Sequence, residues 1–259
     1  SWHSREDYSN NIVSICNAFC GVRSEALISG AAIDKTQVAA QSLYAVLVSN
    51  GQQELADNTL SAIKNAYDKS LAIPQPFRNN IGDAKVPVAQ SACVALGITL
   101  TQELKGAIQA AYANGTITDA EMDSVVNGFV NKVVLPTYKD LKEKNTALCA
   151  AVQNFYNNPS DATFETAYDA WLVARTPWDQ SEAFLFGPVD ILGLDPNMDS
   201  WPLDQVAIVN ILESGNFDDL NWEDGDTEEE ITASQEVRGF HTLEFLLFKD
   251  GNPRTVAAQ

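Results

Sequence analysis

The stretch Val237-Arg-Gly-Phe-His-Thr-Leu-Glu-Phe-Leu-Leu-Phe248 decides how the rest of the chain is read. Its apolar residues fall on nearly every side of a helix, the pattern of a segment buried all round. His241 and Glu244 stand three residues apart inside it and so share a helical face. An imidazole and a carboxylate held inside a protein need partners. Two readings supply them. The pair can satisfy each other or a backbone carbonyl, or it can form half of a site for iron or another divalent cation, for which an imidazole and an acid at this spacing are a common combination. Two details favour the second. The chain has only two histidines, and Gly239 is a poor helix former whose use at that position is close packing or the close approach of a ligand.

Working outward, the helix bearing this motif is predicted over roughly 227–249, ending at Asp250-Gly251. Before it, residues 216–230 are dense in Asp and Glu. A calcium loop counted from Asp219 needs glycine at its sixth position, yet Asp224 stands there and Gly225 is one late, so the stretch reads as a solvated acidic loop leading into the helix. A short helix is expected at 204–213, and an ordered loop rich in Pro and Trp from 187 to 203.

The remainder is also helical by periodicity. Helices are predicted over 2–20 with Gly21 as the stop, from Asp34 to Ser49, from Gln52 to about Ile73, and over 84–113 up to Asn114-Gly115. Thr118-Asp-Ala-Glu121 is a capping box that starts the next helix, with Pro136 a kink or break before it resumes through Leu141 to Phe155. Ser160 opens another, directed toward Phe186 and interrupted at Thr176-Pro177. Strand signals are few, so the fold class is all-α, built as helical bundles.

Composition narrows the function. With 45% hydrophobic residues in 259 the chain has ample material for a core. A formal charge of −19, from 35 acids against 16 bases, argues against nucleic acid or an anionic membrane surface as a partner. No apolar run approaches the roughly 20 residues that cross a bilayer, and no export signal stands at the start. Cys16, Cys20, Cys93 and Cys149 form no CxxC pair, and Cys16 with Cys20 on one helical face read as buried and inert rather than as a disulfide. There is no glycine-rich phosphate loop, no G-x-S-x-G and no H-E-x-x-H.

Several segments together resemble one family. Gly239-Phe-His-Thr-Leu-Glu244 matches the G-x-H-x-x-E signature of the imelysin-like proteins. Trp178-Asp-Gln-Ser-Glu-Ala-Phe-Leu-Phe-Gly-Pro188 resembles their second marked segment, followed by Asp195-Pro-Asn-Met-Asp-Ser-Trp-Pro202 as in Bacteroides-type members. Val134-Leu-Pro-Thr-Tyr138 is similar to the family's first helix, and Ser1-Trp-His-Ser-Arg-Glu-Asp-Tyr8 to part of its second half. The resemblance implies two bundle-like helical domains packed together, here 1–115 and 116–259, with the halves in the opposite order to the family's. It also implies a place in the bacterial cell envelope, periplasmic or lipid-anchored at the outer membrane, a link to iron uptake alongside other envelope iron-uptake proteins, and a motif helix near the domain interface.

Carried over by that resemblance, His241 and Glu244 are the expected contacts to a metal or an iron-bearing small ligand, with Gly239 allowing close approach. Glu182 is expected as a second carboxylate, or else as a partner of Arg175 or Arg238. His3 is a candidate second imidazole, with Arg5, Asp7 and Arg238 as further polar candidates. Iron or another divalent metal is the expected cofactor. An older label for the family is metallopeptidase, but one imidazole and one acid cannot hold a catalytic zinc, which needs three protein ligands and an open position. A structural module, in which the buried pair only fixes helix register, is the remaining alternative.

Overall fold

The computed structural model describes residues 1–223 and 225–256. Asp224, where the calcium-loop register fails, lies outside them. The architecture is all-α, as expected. Among the described residues the extended structure is one antiparallel ladder, in which Phe248 pairs with Pro253 and Lys249 with Asn252. No helix described is long and apolar enough to cross a membrane.

Packing divides the chain into two compact units. One comprises His3–Thr146 and Thr176–Phe184, the other Ser1–Trp2, Ala147–Arg175 and Leu185–Gln259. The division expected at residue 115 follows family resemblance, whereas here residues 116–146 pack with those before them. The physical reason is a small apolar cluster in which Ile117 and Val125 are buried against Val46 and Ala111.

In the larger unit, α1 (Ser4–Cys20) stops at Gly21, whose φ of 62° is left-handed. Its buried face of Ile12, Val13, Cys16 and Phe19 packs on α4 (Gln53–Leu71) through Ala56, Leu60 and Ile63. Between them lie α2 (Ala26–Ser29) and α3 (Leu43–Ser49). The predicted helix from Asp34 is corrected. The Asp34 carboxylate instead accepts from the Thr36 amide and caps a 3₁₀ turn, Lys35–Gln37, and the helix starts only after Ser42, whose hydroxyl accepts from the Ala45 amide. Cys16 and Cys20 are buried and unbridged. Their mutual hydrogen bond, then burial, push the Cys16 thiol up, which keeps it protonated and unreactive.

The run 84–113 forms α5 (Lys85–Ile98) and α6 (Lys105–Ala113), continuous through a π-helical stretch, Thr99–Leu104. The capping box at Thr118 and Glu121 is present and starts α7 (Asp119–Phe129). Pro136 does not break the chain's helical course. A π turn, Val130–Val134, leads directly into α8 (Leu135–Asn157); such a widened turn absorbs the lost amide hydrogen bond and the clash of the proline ring with the preceding turn.

The second unit carries most of α9 (Asp161–Asp179), whose helix continues through Pro177. The loop expected at 187–203 contains two short helices, α10 (Pro188–Ile191) and α11 (Leu194–Asp199). Then come α12 (Gln205–Ser214), α13 (Glu228–Gln235) with a capping box at Thr227 and Glu230, and α14 (Phe240–Leu247). The single terminal helix predicted over 227–249 is therefore two. Gly239, at φ 92° and ψ −169°, lies outside helical geometry and separates them.

An aromatic series holds α9 to the end of α14. Phe164 packs on Phe155 at 5.2 Å and Tyr168 at 6.0 Å, while Tyr168 and Trp171 reach Phe248 at 5.9 and 5.3 Å. The indole of Trp171, wholly buried, donates to the carbonyl of Phe240 at 3.1 Å. Both the start and the end of α14 are thus fixed against one face of α9.

Candidate ligand-binding site

Because Trp171 faces α14, Arg175, one turn further along α9, does so too. Its guanidinium lies 5.4 Å from the Trp171 ring and alongside the His241 imidazole, with Nη1 3.5 Å from Nδ1 and Nη2 3.5 Å from Nε2. Both side chains are buried. His241 and Glu244 do share a face, with Nδ1 3.7 Å from Glu244 Oε2. The other carboxylate oxygen of Glu244 accepts from the Ser1 hydroxyl at 2.9 Å and the Trp2 amide at 2.8 Å.

A second acid reaches the opposite edge of the ring. Asp199, the last residue of α11, places Oδ1 3.4 Å from His241 Nε2 and 3.7 Å from Arg175 Nη2. Three contacts hold α11 there. Arg238 donates to the side-chain oxygen of Asn197, the backbone of Met198 closes on Gly239, and Asp199 meets His241. A Cβ at Gly239 would lie 2.6 Å from the Met198 carbonyl oxygen, so the close approach that glycine permits at that position is made by the protein's own backbone. Trp201, largely exposed, sets its ring edge-on to His241 with centroids 5.0 Å apart. One turn before Asp199, the Asp195 carboxyl is raised above its usual range by loss of hydration and then by the charge of Asp199.

Arg238, expected as a ligand contact, has a structural position. Its guanidinium stacks 3.9 Å over Trp222 and donates to the Leu220 carbonyl as well as to Asn197, and burial lowers its pKa. His3, Arg5, Asp7 and Glu182 belong to the other unit. His3 precedes α1, and its carbonyl accepts from the amides of Glu6 and Asp7. Arg5 pairs with Glu6 at 2.5 Å, Asp7 is buried on α1, and Glu182 is exposed at the start of a 3₁₀ turn.

Sequence reasoning missed Arg175, Asp199 and Trp201 as partners of His241. The segment 195–202 is marked by its likeness to a family segment, but its acids have no metal-like spacing to His241. Arg175 had one usable signal, its place four residues after a tryptophan on an amphipathic helix.

As arranged, the donors do not fit a bare metal ion. Among the described residues no three His, Cys, Asp or Glu side chains converge to hold one. Asp199 and Glu244 approach opposite nitrogens of one ring, and a cationic guanidinium lies beside both. What the arrangement offers is a buried, directional set of charges with an exposed aromatic at its edge, suited to recognising a polar ligand.

An all-helical protein with a buried histidine, two acids and an arginine gathered at the start of a short helix is the class that fold and site define. The family model described as Imelysin matches residues 134–258, which include all four residues. The fold is similar to the crystal structure of an imelysin peptidase from Bacteroides ovatus, at 49% identity and a TM-score of 0.89 over 98% of this chain and 69% of that one. The chain belongs to the imelysin family.

A structure from Parabacteroides distasonis, described as an iron-regulated protein A precursor, is 45% identical over 55% of this chain and 38% of its own, with a TM-score of 0.51. Iron-regulated protein A of Synechococcus elongatus is 35% identical over 138 residues, which are 51% of this chain. The chain spans about a third of the length of that curated relative, 33%.

Proposed function

We propose that the chain acts as an iron-linked binding protein of the bacterial cell envelope, holding an iron-bearing ligand at His241 and Glu244. Arg175 and Asp199 complete the site in this reading. The observation that carries it is the imidazole set between two carboxylates at 3.4 and 3.7 Å in a largely buried cluster of charged groups. Ionisable groups are seldom buried together without a task, since each must surrender its hydration. The names of the two relatives described as iron-regulated protein A, one of them as a precursor, support iron and export. The G-x-H-x-x-E run supplies both the histidine and one acid, and Glu182, His3 and Arg5 are not needed for the reading.

The Bacteroides ovatus relative is described as a peptidase. Zinc-dependent cleavage needs three protein ligands and an open position for water. Here the imidazole has two acids on opposite edges and a cation beside it, so binding is the better-supported reading.

Titration of ferric citrate into the wild type, His241→Ala and Glu244→Gln tests it. Heat of binding in the wild type that disappears in both variants, with helical circular dichroism unchanged, is the expected result. Equal affinity in all three proteins would remove the cluster from the binding site.

A further inference from the structure

Three atoms of the cluster stand in a nearly equilateral triangle. His241 Nε2 is 3.4 Å from Asp199 Oδ1, and Arg175 Nη2 is 3.5 Å from the first and 3.7 Å from the second. The centre of a triangle with such sides lies about 2 Å from each vertex, the side divided by the square root of three. Metal bonds to imidazole nitrogen and carboxylate oxygen have the same length, about 2.0–2.2 Å. Two vertices are metal donors and the third is a cationic nitrogen.

Asp199 Oδ1 strengthens the comparison. It is sealed from solvent yet accepts no hydrogen bond. A carboxylate oxygen in that condition is stabilised only by the charge of its neighbours, here at 3.7 Å from the guanidinium. A divalent cation would serve the same acid better, at shorter range and with twice the charge.

We infer that Arg175 occupies the third vertex of a latent divalent-cation site formed by His241 Nε2 and Asp199 Oδ1, and that guanidinium and cation exclude one another there. The site is closed to a bare divalent ion while Arg175 is in place. Neutralising Arg175 opens it, because the Asp199 carboxylate beside Nε2 then loses the guanidinium charge at 3.7 Å. The donor pair differs from the His241 and Glu244 pair of the motif, since it uses the opposite ring nitrogen and an acid from α11. The inference deepens the proposed function by stating which form of metal the same cluster admits, and it rests on reading that cluster as the ligand site.

Cobalt(II) is a suitable probe, because its visible absorption reports nitrogen and carboxylate coordination, and calorimetry gives its affinity. Arg175→Gln keeps hydrogen-bonding groups but no charge, and is expected to bind cobalt at least tenfold more tightly than the wild type, with new visible bands. Arg175→Gln/His241→Ala and Arg175→Gln/Asp199→Asn are expected to lose that gain. Arg175→Lys, which retains a cation, is expected to remain at wild-type affinity.

A wild type that binds cobalt through His241 as tightly as Arg175→Gln would overturn the inference. So would a folded Arg175→Gln without the gain, or an equal gain in Arg175→Lys. Circular dichroism identifies folded variants, and Arg175→Met replaces Arg175→Gln if the latter does not fold. These titrations use the bare ion alone, so a failure of the wild type to bind ferric citrate would count against the proposed function and leave this result standing.

Discussion

The carbonyl oxygen of Met198 lies 2.6 Å from the point where a side chain on Gly239 would begin. That contact brings the end of α11 against the start of α14, and so delivers Asp199 to the ring of His241. It also accounts for a glycine two residues before a buried histidine. The backbone there has φ 92°, and the neighbouring chain occupies the volume of a Cβ.

Gly239→Ala is expected to destabilise the protein by about 2 kcal/mol or more, from the combined cost of backbone strain and overpacking. Gly51 provides the control. It also has positive φ, 77°, but nothing lies within 4 Å of its Cβ position, so Gly51→Ala should cost only about 1 kcal/mol of backbone strain. Chemical denaturation of both variants measures the difference. Equal losses would show that Met198 yields without cost.

Trp171→Phe removes the indole donor to Phe240 and shrinks a fully buried side chain. A loss of about 1–3 kcal/mol is expected from the hydrogen bond and the cavity together. Because Trp171 also seats Arg175, the near-ultraviolet circular dichroism of the aromatic series should change while helical content stays. A variant as stable as the wild type would mean that the aromatic contacts alone fix α14.

Arg238→Met is expected to loosen α11 by removing the donors to Asn197 and Leu220 and the stacking on Trp222. The predicted loss is about 1–3 kcal/mol. Hydrogen exchange should quicken for amides in 194–199 and remain unchanged in α1. Faster exchange throughout the chain would point to general unfolding instead.

Asp57 gives a prediction against pH in the larger unit. Hydrogen bonds from Lys35 first and Tyr44 second, each 2.6 Å long, hold its carboxyl down to about 2 from an ordinary value of 3.8. Since the folded value lies below the unfolded one, the stabilisation is complete above the unfolded value and is lost as pH falls from about 4 to about 2. Asp57→Asn should therefore lower the urea midpoint at pH 7, with the gap to wild type narrowing below pH 4. A gap independent of pH would assign the effect to packing.

The sequence alone determined the features that depend on neighbours within a turn or two. Helical periodicity fixed the class, Gly21 and the Thr118 to Glu121 box fixed helix ends, and three-residue spacing put His241 and Glu244 on one face. These are local because backbone hydrogen bonds and caps join residues three to five apart. Where competing local chemistry was available, as at Asp34 or Pro136, the outcome shifted even within such short range.

Tertiary structure decided the break at Gly239 and the membership of the charged cluster. Asp199 and Arg175 come to His241 through the packing of three helices, and Arg175 is separated from it by 66 positions. No periodicity spans such a distance. The aromatic face of α9 and the backbone contact at Gly239 set those positions, because close-packed interiors admit one arrangement of large side chains and the charged groups must take the places left between them.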